Sequence, residues 1–292
     1  MKKRKPVDAA LNGSDGVIDF GEITIDGIPE KSSEAIRIMS FNLRYCDDKA
    51  GSVKNRSKIT LAIINQYLPD SLGVQEATGE WLDILTEGLG EKYAYVGEAR
   101  DRKGYKSEFS AVFYRKDKYN LIDSGTIWLS ETPGVKYSKS FDSVCHRVAS
   151  WAVLENKETG EKHTHLNTHL DHVLEKTRTA QIKVFIDKLT ELKQYGNVFC
   201  TGDFNAEPTS EAYAGMLRAT DDARTVAKNS DEGITFHNYG TVEEFSAGPI
   251  DYIFVPKGTR VDTFKIIRNT AKDMYPSDHY PVVADIITEV QQ

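Results

Sequence analysis

Apolar, β-branched runs in this chain repeatedly stop on residues that a buried strand does not keep. NVFC, at residues 197–200, leads straight into TGDFNAEP, so Asp203 and Asn205 stand one residue apart at the mouth of a strand and read as lying on one face of it. IRIMSFN ends on Asn42, and SLGVQE ends on Gln75 and Glu76. HTHLNTHLDH carries Asn167 and His169 in alternation, which puts both on one strand face. GPIDYIFV begins with Asp251, and YPSDHYPVV sets Asp278 and His279 just ahead of the last apolar run. Burying an unpaired carboxylate such as Asp203 costs several kcal/mol. The fold therefore has to bring these termini together around something that uses them.

Further strand candidates are YAYVGE, FSAVFYR and VASWAVLE. Between some of the runs lie helical patterns: Ile182, Phe185, Ile186, Leu189 and Leu192 follow the spacing of an amphipathic helix, and Ile59, Ala62, Ile63 and Gln66 do so after KNRSK. Helices separate some strands while others follow one another directly, which predicts an α/β protein with mixed sheets. The 292 residues allow a large core, and no linker interrupts the chain after Ile36. We read residues 35–292 as one catalytic domain and residues 1–34, with a basic start, as a partly ordered arm that holds at best a short strand or hairpin.

An oxygen-rich pocket flanked by histidines suits a hard divalent cation, Mg²⁺ or Mn²⁺, and through it a phosphate. Taken singly, each residue has an ordinary reading. Asn42 and Asn205 suit turns, Glu76 suits a helix start, His169 suits a satisfied core position, and Ser-Asp-His suits a cap. Independent turns have no reason to collect metal-type ligands at strand ends, so the set carries more than its members.

A net charge of -7 lacks the basic footprint of tight, non-specific DNA binding. Three cysteines, Cys46, Cys145 and Cys200, fit neither a zinc site nor a disulfide framework and read as free thiols in a reducing compartment. No stretch reaches the length of a membrane span, and MKKRKP is followed by a polar segment rather than the apolar core of a signal peptide. Cytoplasmic is the default, and a monomer the default state.

FN, QE, NTHL, GDFNAEP, IDYIF and SDHYPV, in that order and at these distances, resemble the endonuclease/exonuclease/phosphatase (DNase I-like) superfamily over roughly residues 36–288. SGTIWLSETP and NTHLDH are similar to a group of compact bacterial members. The resemblance implies a four-layer α/β/β/α sandwich of two packed mixed sheets, with the site at one end. It implies a Mg²⁺-dependent phosphoesterase, with Glu76 as the main metal carboxylate, Asn42 beside it, and Asp278 on a second metal or the same waters. Asp203 would orient and deprotonate the attacking water, supported by Asn205. His279 would face the phosphoryl oxygen with its other nitrogen held by Asp251, and His169 would be a general acid or phosphate ligand.

Second-rank candidates surround this centre. Arg147, at the start of a strand, falls where the family often has an arginine that contacts phosphate. Glu108 leads another strand toward the same end and could orient Arg147 or a substrate hydroxyl. Phe236, His237 and Tyr239 sit on a loop where they either stack on a base or sugar or pack the loop. Trp81 and Trp128 read as core. The basic stretch RDRKGYK, residues 100–106, reads as a solvated loop. No apolar hairpin for lipid and no lysine- and arginine-rich pocket for several phosphates is evident. A phosphorylated small molecule or a single-stranded nucleic-acid end remains as the partner. The rival class, an inactive binding module on the same fold, is disfavoured because the whole residue set is present.

Overall fold

The computed structural model of the chain describes residues 16–47, 51–244 and 246–288. β1 (Ala35–Asn42) passes through α1 (Val53–Tyr67) to a parallel β2 (Ser71–Gln75), and α2 (Gly79–Leu89) follows. β3 (Tyr93–Val96), β4 (Val112–Arg115), β5 (Tyr119–Trp128), β6 (Val148–Asn156) and β7 (Lys162–His169) come next. α3 (Glu175–Leu192) crosses to β8 (Asn197–Asp203), parallel to β7. α4 (Glu211–Ala219), β9 (Thr220–Asp222), α5 (Ala223–Val226), β10 (Ala227–Ser230), β11 (Asp251–Pro256), β12 (Arg260–Ile266) and β13 (Val282–Ile287) complete the chain.

The strands form two mixed sheets, β10-β12-β13-β1-β2-β4-β3 and β5-β6-β7-β8-β11-β9. α1 and α2 cover the outer face of the first, where Ile59, Ile63, Trp81 and Leu85 meet Met39, Phe41, Leu72 and Val74. α3 and α4 cover the second, where Phe185, Leu189 and Met216 meet Val153, Leu166, Cys200 and Phe254. Ile38, Phe199, Ile253, Phe264 and Val282 fill the space between the sheets. This is the expected four-layer sandwich, with Trp81, Trp128 and Cys200 buried in it.

The seam between the sheets also carries polar groups, most of them matched, with Gln75 Oε1 left without a partner. His165 lies 2.7 Å from Ser71 Oγ through Nδ1 and 2.7 Å from Thr201 Oγ1 through Nε2. Asn167 Nδ2 donates to the carbonyls of Val74 and Ala111, and its Oδ1 accepts from Gln75 Nε2 at 2.7 Å. Gly73 is required here, because a Cβ at that position would sit 2.2 Å from Thr201 Oγ1 and 2.5 Å from Asn167 Oδ1. The seam thus fixes how β2 lies on β7 and β8, directly below the functional end.

Several elements differ from expectation. α1 starts at Val53, so KNRSK forms its first turns instead of preceding it. β5, β12 and α4 carry no expectation from the sequence, and β5 and β12 both contain register shifts that break their alternation. Residues 16–34 form neither strand nor hairpin. They lie along α1, with Ile18 N and Ile25 N donating to Asn55 Oδ1 and Gln66 Oε1, and Ile25 inside the core. The basic start of the expected arm, residues 1–15, falls outside the described residues.

Candidate active site

Strand register assembles the site. Asn42 pairs with Gln75 at the end of the first sheet, and Asp203 pairs with both His169 and Asp251 at the end of the second. Glu76 follows β2 with φ of 57°, and Asn205 follows β8 with φ of 48°. Both are left-handed conformations that cost a non-glycine residue of order 1–3 kcal/mol and cluster at functional sites. The turn at Asn205 also corrects an expectation: β8 ends at Asp203, so the two residues do not share a strand face. Asn205 instead bends back, its N–H donating to Asp203 Oδ1 at 2.9 Å and its Nδ2 to Leu170 O.

Asn42 Nδ2 joins the two halves of the site, donating to Asp203 Oδ2 at 2.9 Å and to Glu76 Oε1 at 3.2 Å. The second Glu76 oxygen accepts from Tyr45 N. Across the site, His279 Nδ1 lies 2.8 Å from Asp251 Oδ2, while its Nε2 is 3.8 Å from Asp203 Oδ2. His169 Nε2 is 3.4 Å from the same Asp203 oxygen. Asp278 lies 3.7 Å from Arg44 Nε.

Burial and charge then divide the roles. Burial works to lower the His279 pKa, but Asp251 and Asp203 outweigh it and raise it to about 10, so the ring is an imidazolium at neutral pH. Asp203 is pushed up to about 7, by burial first and Asp251 second, which leaves its carboxylate basic. His169 is held well below its ordinary range by burial, then by Arg147 and Arg100, and is neutral. Burial first, and Glu76 among its neighbours, raises Asp278.

The donor set fits a divalent cation. Glu76 is a carboxylate near enough to Asp278 to raise the cost of charging it, Asn42 stands beside Glu76, and one buried oxygen of Asp251 has no partner. Ligand atoms of Asp203, Asp251 and His279 also lie within 4.8 Å of one another. That trio is the poorer seat, since an imidazolium bonded to Asp251 has no lone pair to offer.

Of the outlying candidates, Arg147 and Glu108 reach a cleft beside Glu76 and His169. His237 does not reach the site's surface. It is 1% exposed, and its ring stacks on Tyr280 at 3.8 Å and tilts onto Tyr275, which makes it loop packing. Phe236 is the loop's outward ring, 36% exposed and 5.0 Å from His279.

Two arginines escaped the sequence reading. Arg56 is fully buried in α1 and donates to the carbonyls of Leu43, Arg44, Cys46 and Pro276, tying the loop after Asn42 to the segment before Asp278. Its signal was its place on the apolar stripe, three residues before Ile59. Arg100, expected on a solvated loop, is 8% exposed and pairs with Glu108.

A model of the endonuclease/exonuclease/phosphatase family matches residues 39–279. The chain belongs to that family. A solved endonuclease/exonuclease/phosphatase from Bacteroides vulgatus superposes with a TM-score of 0.82 at 32% identity, covering 87% of this chain and 99% of that one. The mannosyl-6-phosphatase of Bacteroides thetaiotaomicron does so at 0.80 and 29%, covering 87% and 100%. Nocturnin of Xenopus laevis is 26% identical over 271 residues, which span 84% of this chain and 67% of nocturnin. Members of the family are hydrolases of phosphate esters, and so is this chain; the family generally depends on a divalent metal, and an acidic and histidine cluster that could bind one is present here. Among the described residues, no helix is long and apolar enough to cross a membrane.

Proposed function

We propose that the protein is a Mg²⁺-dependent phosphoesterase, with Mn²⁺ able to serve, in which water attacks phosphorus. The observation that carries this reading is the meeting of the strand ends that bear Asn42, His169, Asp203 and Asp251, with Glu76 just beyond β2 bonded to Asn42 and His279 facing Asp203. Glu76, Asn42 and Asp278 would hold the cation, which when bound neutralises charge on the phosphate and on the departing oxygen. Asp203 orients the water and takes its proton, as a pKa near neutrality allows. Asn205 fixes Asp203 through its backbone N–H, while its own Nδ2 is anchored on Leu170 O. The His279 imidazolium, oriented by Asp251, donates to a phosphoryl oxygen as charge builds there. His169, held neutral, serves as a phosphate ligand and not as the general acid.

The substrate is a phosphorylated small molecule, a class to which a mannosyl-6-phosphatase at 29% identity belongs. A second reading, hydrolysis at a single-stranded nucleic-acid end, draws on the outward ring of Phe236 beside His279, which suits stacking on a base. Free Cys46, Cys145 and Cys200 fit a cytoplasmic, monomeric protein. The test is turnover of a panel of small phosphomonoesters and phosphodiesters beside a 3′-labelled single-stranded oligonucleotide, with Mg²⁺, with Mn²⁺ and with EDTA. EDTA-sensitive release from the small esters upholds the first reading. EDTA-sensitive cleavage of the oligonucleotide alone upholds the second, and silence on both contradicts each.

A further inference from the structure

Asp171 is a fully buried carboxylate two residues past the end of β7, and it joins two segments at the catalytic end. One is the turn from β7 into α3. The other is the connection from β5 to β6, residues 129–147, a length without helix or strand that compact domains keep mainly for function. Asp171 Oδ1 accepts from Val173 N at 2.9 Å and Leu174 N at 3.1 Å, and Oδ2 accepts from Val144 N at 3.0 Å and Ser143 Oγ at 3.2 Å. All four donors are neutral. Burial works to raise the Asp171 pKa, but the N–H groups of Leu174, Val173 and Val144 outweigh it and hold the carboxyl below its ordinary range. α3 reinforces the link: Gln181 Oε1 accepts from Asp171 N at 2.9 Å, and its Nε2 donates to Ser143 Oγ at 3.1 Å.

Both segments are anchored on the catalytic centre. Leu170 N donates to Asp203 O, and Leu170 O accepts from Asn205 Nδ2. Arg147 ends the β5–β6 connection beside His169 and donates through Nη2 to His172 Nδ1 at 3.2 Å. Next to these anchors the segments present apolar side chains to solvent, Val144 at 54% and Val173 at 51% exposure. A single exposed valine is ordinary. Here two valines from separate segments have their own N–H groups fixed on the two oxygens of one buried carboxylate, at the rim of a polar reaction centre. With the phosphate taken by the cation, Asp203 and His279, the group left to meet that rim is the organic part of the ester, and covering the valines removes apolar surface from water.

We propose that Val144 and Val173 form an apolar wall for the organic group of the substrate, with Asp171 as the positioning residue that holds the wall beside His169, so that the preferred substrate is a phosphate ester of an apolar alcohol. The proposal rests on the phosphoesterase reading and narrows its substrate class. An alkyl or aryl group gains by covering the valines. A sugar hydroxyl set against them would give up water without finding a partner.

The experiment has two arms. In the first, kcat/KM of the Mg²⁺-loaded chain is measured on hexyl phosphate and on methyl phosphate. The wild type is expected to favour the hexyl ester by about tenfold or more, and Val144→Ser and Val173→Ser each to lower that ratio by about threefold or more. Asp171→Ala lowers it as the valine variants do, and Asp171→Asn, which keeps one acceptor oxygen, lowers it less. A purely structural Asp171 would change stability and leave the ratio in place. Val135→Ser, on the same connection at 57% exposure but away from Asp171's bonds, is the control and keeps the wild-type ratio. A wild-type ratio of one or less, or a ratio that neither valine variant lowers, overturns the wall while turnover leaves the hydrolytic reading standing. In the second arm, which needs no turnover, calorimetry with Mg²⁺ compares hexylphosphonate with methylphosphonate. Tighter binding of hexylphosphonate that Val144→Ser and Val173→Ser weaken upholds the wall, and does so even where neither ester is hydrolysed, a result that contradicts the hydrolytic reading alone. Equal binding of the two phosphonates, or no binding of hexylphosphonate, overturns the wall.

Discussion

His279 is gripped by Asp251 through Nδ1 at 2.8 Å and turns Nε2 toward Asp203 at 3.8 Å, so one buried ring links two carboxylates from neighbouring strands. Charge on that ring is a source of stability as well as the catalytic device proposed above. Burial lowers its pKa, yet Asp251 and Asp203 prevail and raise it to about 10. A raised folded-state value stabilises fully below the ordinary histidine range near 6.5, and that stabilisation is lost as pH rises through about 10.

Asp251→Asn removes the larger of the two carboxylate effects. Activity at pH 7.5 is expected to drop by about 10²–10⁴, the usual worth of a positioned proton donor. Unfolding free energy at pH 7 falls by on the order of a few kcal/mol. The gap between variant and wild type narrows toward pH 10. Denaturant titrations at both pH values and kcat measured across the range check each part.

Glu76 combines a left-handed backbone with a carboxylate near Asp278 that shares the Asn42 Nδ2 donor with Asp203. Glu76→Gln should therefore remove turnover, by about 10³ or more, without lowering metal-free stability. Wild type is expected to gain melting temperature on adding Mg²⁺, as a ligand held only by the folded chain stabilises it, and the variant to lose that gain. Thermal melts with and without Mg²⁺ separate this from simple unfolding.

His165 lies in the seam with both nitrogens on hydroxyls, and burial pushes its pKa down to about 3. The unfolded chain takes up this proton near 6.5, so the contribution is intact above that pH and disappears as pH falls toward 3. His165→Gln should flatten the acid limb of stability between pH 6.5 and 4 by about 2–3 kcal/mol. The measurement is chemical denaturation across that window.

Asn167 satisfies two carbonyls, Gln75 and Thr201 at once. Asn167→Ala removes all four bonds and opens a void in the seam, although Ala111 O, Gln75 Nε2 and Thr201 Oγ1 keep other partners, and a buried group that loses its partner costs roughly 1–3 kcal/mol. We expect a loss of at least about 3 kcal/mol, read from denaturant midpoints. Gly73→Ala, which would drive a methyl into Thr201 and Asn167, is expected to be comparably harmful.

Much of the fold was legible because the strands that bear the site are short apolar runs with abrupt polar ends, and α1 and α3 carry a clear helical period. β5 was hidden by Asp123, Ser124 and Gly125 in an edge strand with a register shift. β12 was hidden by polar residues and a shift of its own. For the candidate site, strand-end chemistry singled out Asn42, Glu76, Asp203, Asp251 and His279, which the structure brings together because the ends of neighbouring strands meet. It could not find Arg56 or Arg100, because a charged side chain on a stripe or in a basic loop reveals its burial only once the elements around it are packed. His237 erred the other way: next to exposed Phe236 in sequence, it turns inward onto Tyr280.

The most direct test of the account is metal-dependent hydrolysis of a phosphomonoester in ¹⁸O-labelled water, with phosphate analysed by mass spectrometry. Turnover that stops with EDTA, returns with Mg²⁺, is lost in Asp203→Asn and places one ¹⁸O in the phosphate is the predicted result. Turnover indifferent to EDTA, label in the alcohol, or no hydrolysis by the metal-loaded chain would contradict it.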